Sequence, residues 1–279
     1  MQLEGKVALI TGGTRGIGLE ISHRLADRGA DLILAYKKDL ENATEAKEAL
    51  EAKGRRVQLV QGDLRKPEGV EALFEQVKTG LDQIDILVLN AAFGTMGEVD
   101  RMGRFSWRAS YDTNVLSPML TAKAALPWLK RKGGVITATS TLGAHTAYPT
   151  YVAIGSSKAA MESLVKYMAF EWAKYGIRAN SVAAGPVETR AIDWFRYPEA
   201  VRIFTAKKGL AGRMGMPADI AEVAVWLCTD ESRWIWGQSI VAEGGILVGV
   251  DYESWKASDD DDNTKSTSPE AESKAGGVA

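Results

Sequence analysis

Tyr151 and Lys158 stand seven residues apart in Tyr-Val-Ala-Ile-Gly-Ser-Ser-Lys, a phenol and a primary amine in a segment of small and apolar residues. Continued as a helix, that interval puts both side chains on one face but about 10 Å apart along its axis. A tyrosine one turn before the lysine would suit proton donation to an oxygen on the carbon that accepts hydride. Position 154, where that tyrosine would stand, is Ile, which has no proton to give. A phenol displaced along the helix suits a different task, a hydrogen bond to an oxygen on which negative charge develops away from the reacting carbon. Thr141 or Ser140 could donate a second such bond, or be structural hydroxyls at a strand end. Tyr148 is the rival phenol, and Pro149 predicts a loop position for it. The bland reading of Tyr151 is a packing residue with a satisfied hydroxyl.

A second constellation lies near the start of the chain. Thr11-Gly-Gly-Thr-Arg-Gly-Ile-Gly18 follows an apolar β-type run and opens a helical pattern. Glycines 12, 16 and 18 permit a tight turn and close approach, and the helix N-terminus offers free N–H groups to a pyrophosphate. The next β-type run, Asp31–Tyr36, ends in Lys37-Lys38 rather than in an acidic residue suited to a ribose 2′-hydroxyl. With Arg15 in the glycine loop, these lysines favour a 2′-phosphate and therefore NADPH over NADH. Asp39 is the residue that argues the other way.

Seven β-rich runs, near 6–11, 31–36, 57–61, 84–90, 134–139, 177–183 and 238–243, alternate with amphipathic helical stretches. The alternation predicts an α/β fold, one doubly wound, Rossmann-like domain over 1–250 with a parallel sheet flanked by helices. From about 251 to 279 the chain turns acidic and poor in apolar residues, which predicts a disordered tail. Apolar residues make up 46% of the chain and 34 Lys and Arg nearly balance 36 Asp and Glu, arguing against a nucleic-acid partner. The apolar run Val7–Ile10 is too short for a signal or a membrane span, so a cytoplasmic protein is expected. Cys228, the single cysteine, reads as core, and His23 and His145 are too separated for a metal pair, so both are expected to be incidental and no metal is expected.

The glycine loop, Gly62-Asp63-Leu64, Asn90-Ala91-Ala92, Asn114-Val115, the Tyr151/Lys158 segment and Gly185-Pro186 together resemble the short-chain dehydrogenase/reductase superfamily over about residues 3–249. The resemblance implies a cofactor cradle that includes Gly12, Thr14, Arg15, Gly16, Ile17, Gly18, Lys37, Lys38, Leu64, Ala91 and Thr189. It implies that Asp63 bonds the adenine amino group, that Asn90 lines the cofactor, and that Pro186 and Val187 pack on the nicotinamide. Lys158 would hold the nicotinamide ribose, and Asn114 would join the catalytic set.

Within that superfamily, Tyr151-x₆-Lys158 followed by Ala-Ala-Met-Glu, with Ser140-Thr-Leu-Gly-Ala144 upstream, is similar to the enoyl-acyl carrier protein reductases. Thr141 occupies the position at which many of them carry a second tyrosine, a departure that with Arg15 is closer to the NADPH-using type III enzymes of fatty-acid synthesis. The implied substrate is a trans-2-enoyl thioester, on acyl carrier protein rather than coenzyme A. The region 188–212, with Trp194, Phe195, Tyr197, Ile203 and Phe204 among Arg190, Arg196, Arg202, Lys207 and Lys208, would be an apolar substrate lid with basic edges; an ordinary amphipathic helix is the alternative. A homotetramer joined through helices 105–131 and 151–175 is the family's expectation. A carbonyl reductase such as a 3-oxoacyl reductase remains open on the same scaffold, as does an NADP-sensing protein without turnover.

Overall fold

Val7–Thr11 forms strand β1 because five consecutive residues without charge can be buried on both faces, and all five are buried. The computed structural model describes residues 2–249, so the acidic tail expected at 251–279 lies outside the described residues. The remaining strands are β2 (Asp31–Tyr36), β3 (Val57–Gln61), β4 (Ile86–Leu89), β5 (Val135–Thr141), β6 (Arg178–Ala184) and β7 (Ser239–Ala242). They form one seven-stranded sheet in the order β3-β2-β1-β4-β5-β6-β7. Every neighbouring pair is parallel. The order reverses between β1 and β4, and the loops leaving the carboxyl ends of those strands carry Gly12 and Asn90. In open α/β sheets this switch point is where ligands bind.

Helices cover both faces. On one, α3 (Pro67–Thr79), α5 (Ser117–Leu129) and α6 (Val152–Trp172) pack Phe74, Trp128, Met161 and Val165 against the sheet. On the other, α1 (Gly16–Asp27), α2 (Leu40–Glu51) and α8 (Pro217–Leu227) contribute Ile21, Leu25, Leu50 and Val225, with Cys228 beside them. The core reading of Cys228 holds, and burial pushes its thiol up to about 11. α7 (Pro198–Lys208) lies in the lid region.

Two helical expectations need refinement. The stretch expected as one helix over 105–131 is α4 (Arg104–Tyr111), a π-helical turn at Asp112–Leu116, and then α5. Helical periodicity does not show this turn, within which Asn114 makes the side-chain bonds described below. Tyr151 is the residue that caps α6 rather than one inside it, with φ −99° and ψ 10°. Its distance from Lys158 therefore depends on the cap conformation as well as on the helix repeat.

Candidate active site

The glycine loop leaves β1 through Gly12 at φ +66° and reaches α1 through Gly16 at φ +55°, both in the left-handed region that favours glycine. A Cβ on Gly18 would collide with the Gly12 carbonyl and the Asn90 amide. That amide donates to the carbonyls of Thr11 and Gly12, each at 3.1 Å, and so ties the loop after β4 to the loop after β1. Thr11 is the hub: its hydroxyl donates to Val88 O and accepts from the backbone N–H of Asn90 (2.9 Å) and Ala91 (3.0 Å). Sequence motifs did not single out Thr11. The result is a backbone cradle at the start of α1, which fits a pyrophosphate in charge and shape.

Around the expected 2′-phosphate position, the basic residues divide. Lys37 pairs with Asp63 at 2.9 Å, and Arg65 grips the same carboxylate at 2.7 and 3.0 Å. These partners, Arg65 foremost, hold the Asp63 carboxyl far below the usual range. Arg15 and Lys38 are exposed and make no ion pair among the described residues. Asp39 caps α2, accepting from the Asn42 backbone N–H at 3.2 Å and side-chain amide at 2.5 Å, and those bonds lower its pKa. The acidic residue that argued for NADH is thus turned to its own helix. Thr14 and Leu64 are buried, and the Thr189 methyl faces Gly16 across the loop.

Lys158 is 5% exposed and donates to the carbonyl of Thr139 at 2.6 Å, another partner that the motifs missed. Burial pushes its amine down to about 8, opposed by the charge of Glu162 one turn later. Tyr151 lies beside β5, its hydroxyl 3.5 Å from that of Thr141 and its ring stacked on Phe195 at 5.7 Å between centroids. Burial raises the phenol pKa, only partly offset by Thr141, so Tyr151 is a neutral donor through neutral pH. Ser140 sits between Thr139 and Thr141 in the strand, so its side chain leaves by the opposite face, and its buried hydroxyl has no protein partner.

The turn that carries Tyr151 is held from both sides. Gly97 donates to Thr150 O at 2.7 Å, and Thr150 has φ +63°, a strained conformation for a β-branched residue. Gly143 makes room for the phenol, since a Cβ there would meet the Tyr151 ring at 2.7 Å, and Gly155 makes room for the Gly143 carbonyl, which a Cβ would meet at 2.5 Å. Ile154 packs onto Gly94, filling the space one turn before Lys158. His145, expected to be incidental, meets the buried carboxylate of Glu162 at 3.1 Å. Asn114, fully buried in the π-helical turn, donates to Phe93 O (2.8 Å) and Ser157 Oγ (2.9 Å) and accepts from Phe93 N. It thereby braces the helix face beside Lys158.

Of the lid residues, Phe195 reaches Tyr151, whereas Trp194, Tyr197, Ile203 and Phe204 are exposed. Arg202 is neutralised by Glu188 at 2.7 Å and by Asp193 and Glu199, each at 3.5 Å, so it adds no free positive edge. Pro186 and Val187 border a pocket with Gly185 and Glu243, and Gly215 N–H donates to Pro186 O at 3.1 Å. Among the described residues no cluster of His, Cys, Asp and Glu could hold a metal, and no helix is long and apolar enough to cross a membrane.

Comparison with known proteins agrees with the fold. Residues 12–247 match the family model described as enoyl-(acyl carrier protein) reductase. The chain is 35% identical over 248 residues to 1-cyclohexenylcarbonyl-CoA reductase of Streptomyces collinus, covering 87% of each chain. It is 32% identical to 3beta-hydroxysteroid dehydrogenase 1 of Eggerthella lenta, covering 88% of this chain and 95% of that one. A short chain dehydrogenase from Burkholderia cenocepacia in complex with NADP superposes with a TM-score of 0.82 at 30% identity, covering 88% of this chain and 99% of that one. The chain belongs to the short-chain dehydrogenase/reductase superfamily.

Proposed function

We propose that the chain reduces the 2,3 double bond of trans-2-enoyl thioesters, with NADPH as cofactor. The observation that carries this reading is the placement of Tyr151 at the start of α6, seven residues before Lys158, with Ile154 packed on Gly94 in the intervening turn. When bound, the cofactor supplies hydride to the β-carbon. Charge would then develop on the thioester oxygen, where Tyr151 is the neutral donor that hydrogen-bonds it, and a proton taken up from water at the α-carbon completes the reduction. Lys158, held by Thr139, orients the nicotinamide ribose and supplies positive potential; Asn114 keeps that helix face in place. The cradle of Gly12, Gly16 and Gly18 takes the pyrophosphate, and exposed Arg15 and Lys38 take the 2′-phosphate. Support for NADP(H) comes from that donor set, from the withdrawal of Asp39, and from the NADP-bound structural relative.

The relative named for cyclohexenylcarbonyl-CoA supports an enoyl thioester; the hydroxysteroid dehydrogenase favours carbonyl chemistry as the second reading. Acyl carrier protein is the proposed substrate handle, with Arg190, Arg196, Lys207 and Lys208 as its docking edge, and fatty-acid synthesis as the setting. Exposed Phe105, Tyr167 and Phe170 on α4 and α6 support the proposed tetramer. A cytoplasmic setting is part of the proposal. NADPH oxidation with crotonyl and acetoacetyl thioesters tests the reaction class. Turnover of crotonyl thioester is expected, and turnover of the ketone alone overturns the proposal.

A further inference from the structure

Tyr148 is the one phenol near Tyr151 that the proposed reaction leaves without a task. The loop between β5 and α6 turns back at Pro149, with Tyr151 N–H donating to Tyr148 O at 3.2 Å. That turn sets the two rings edge to face, 6.2 Å apart and at 83°. Yet the Tyr148 hydroxyl is buried without a hydrogen-bond partner in the protein. A buried phenol O–H ordinarily finds an acceptor, because leaving it unmade forfeits the water it gave up.

The obvious acceptor nearby does not take that proton. Glu243 is close enough to act on Tyr148 electrostatically, but no hydrogen bond joins the two, and its Oε2 is turned to the backbone N–H groups of Ile246 and of Leu247, the latter at 3.2 Å. Thr141, the other candidate for a second donor, lies 3.5 Å from the Tyr151 hydroxyl. With Tyr151 donating to the substrate, the Thr141 O–H is left to donate to the phenol oxygen, while its Oγ accepts from Gly143 N–H at 3.3 Å. An oxygen that carries developing negative charge has lone pairs for two donors, and Tyr151 satisfies one.

We propose that Tyr148 is the second hydrogen-bond donor of this site, its hydroxyl directed to the carbonyl oxygen of a bound acyl thioester beside Tyr151. The inference rests on the thioester reading above and assigns the binding contact within it. Burial and the neighbouring Glu243 push the Tyr148 phenol up to about 12, so it keeps its proton throughout the working pH range. The donor is poised in the protein and completed by the ligand.

Tyr148→Phe keeps the ring and removes only the hydroxyl. The variant is expected to fold with a Tm at or above the parent value, because an unsatisfied polar group has been removed. Its kcat/KM for crotonyl-CoA should fall about tenfold or more with NADPH affinity unchanged. Binding to the NADP⁺-loaded protein separates the contact from turnover: butyryl-CoA has the carbonyl oxygen, and S-butyl-CoA, a thioether, lacks it. The parent should prefer the thioester, and Tyr148→Phe should lose most of that preference. Parent-like kcat/KM together with a retained preference overturns the assignment, as does a lowered Tm with the preference intact. Absence of crotonyl turnover by the parent would overturn the reduction reading instead, while the thioester preference still decides the role of Tyr148.

Discussion

Ile154 and Gly94 are fitted to each other: the isoleucine side chain occupies the space that any Cβ at position 94 would need. This contact fills the turn between Tyr151 and Lys158 with hydrocarbon. It excludes a donor from the place where carbonyl chemistry would require one. Gly94→Ala must push Ile154 aside, and overpacking of this kind costs about 2 kcal/mol, or roughly 6 °C in Tm. Thermal unfolding checks this, and an unchanged Tm would show that the contact is slack.

Tyr151 and Lys158 should separate in their effects. Tyr151→Phe is expected to cut turnover by at least about tenfold with little change in NADPH affinity, since only an oxygen contact is lost. Lys158→Met should weaken NADPH binding as well. Fluorescence titration alongside steady-state kinetics distinguishes them; a fully active Tyr151→Phe would remove Tyr151 from the role of donor.

Much of this arrangement was legible in the sequence because its parts are contiguous or follow a repeat. Strands buried on both faces read as apolar runs, and the glycine loop and the Tyr151–Lys158 interval each lie within a few residues. What was not legible depends on contacts between distant segments. Phe195 stacking on Tyr151, Thr139 holding Lys158 and Glu162 meeting His145 have no local signature. Nor could the local pattern show that Asn114 sits in a π-helical turn, or that Lys37 would be committed to Asp63 while Arg15 stays exposed.

The buried amine of Lys158 gives stability a definite pH dependence. The unfolded chain holds this proton to about 10.5 and the folded chain only to about 8. Between those values the unfolded state binds more protons, so this contribution to stability rises as pH goes from about 8 to 10.5 and is lost as pH falls back across that window. At pH 7 Lys158→Met should be more stable by about 2 kcal/mol, after allowing for the lost bond to Thr139. The gain should shrink at pH 9.5. Urea unfolding at both pH values measures it, and equal stability at pH 7 contradicts the assignment of cost to the buried charge.

For cofactor choice, Arg15→Ala should raise the Kd for NADPH about tenfold while sparing NADH, because a charge-assisted phosphate contact is lost. Lys37→Ala should do less, since Lys37 is engaged by Asp63. Calorimetric titration with both dinucleotides reads the difference. Equal losses for NADPH and NADH in Arg15→Ala would place Arg15 outside the 2′-phosphate site.

His145 ties the loop that leads to Tyr151 onto α6 through Glu162. His145→Ala should speed amide exchange over 142–150, and His145→Gln, which can still donate to the carboxylate, should restore much of the protection. Hydrogen-exchange mass spectrometry reports on the segment directly. Parent-like exchange in His145→Ala would leave the pair without a positioning role.

The proposed reaction adds hydrogen across a carbon–carbon double bond. Crotonyl thioester incubated with NADPH deuterated at the transferring position of nicotinamide C4 tests it by NMR of the product. Butyryl thioester with deuterium on C3 is the expected product. No reaction with crotonyl thioester, alongside conversion of acetoacetyl thioester to 3-hydroxybutyryl thioester carrying the deuterium, would contradict it.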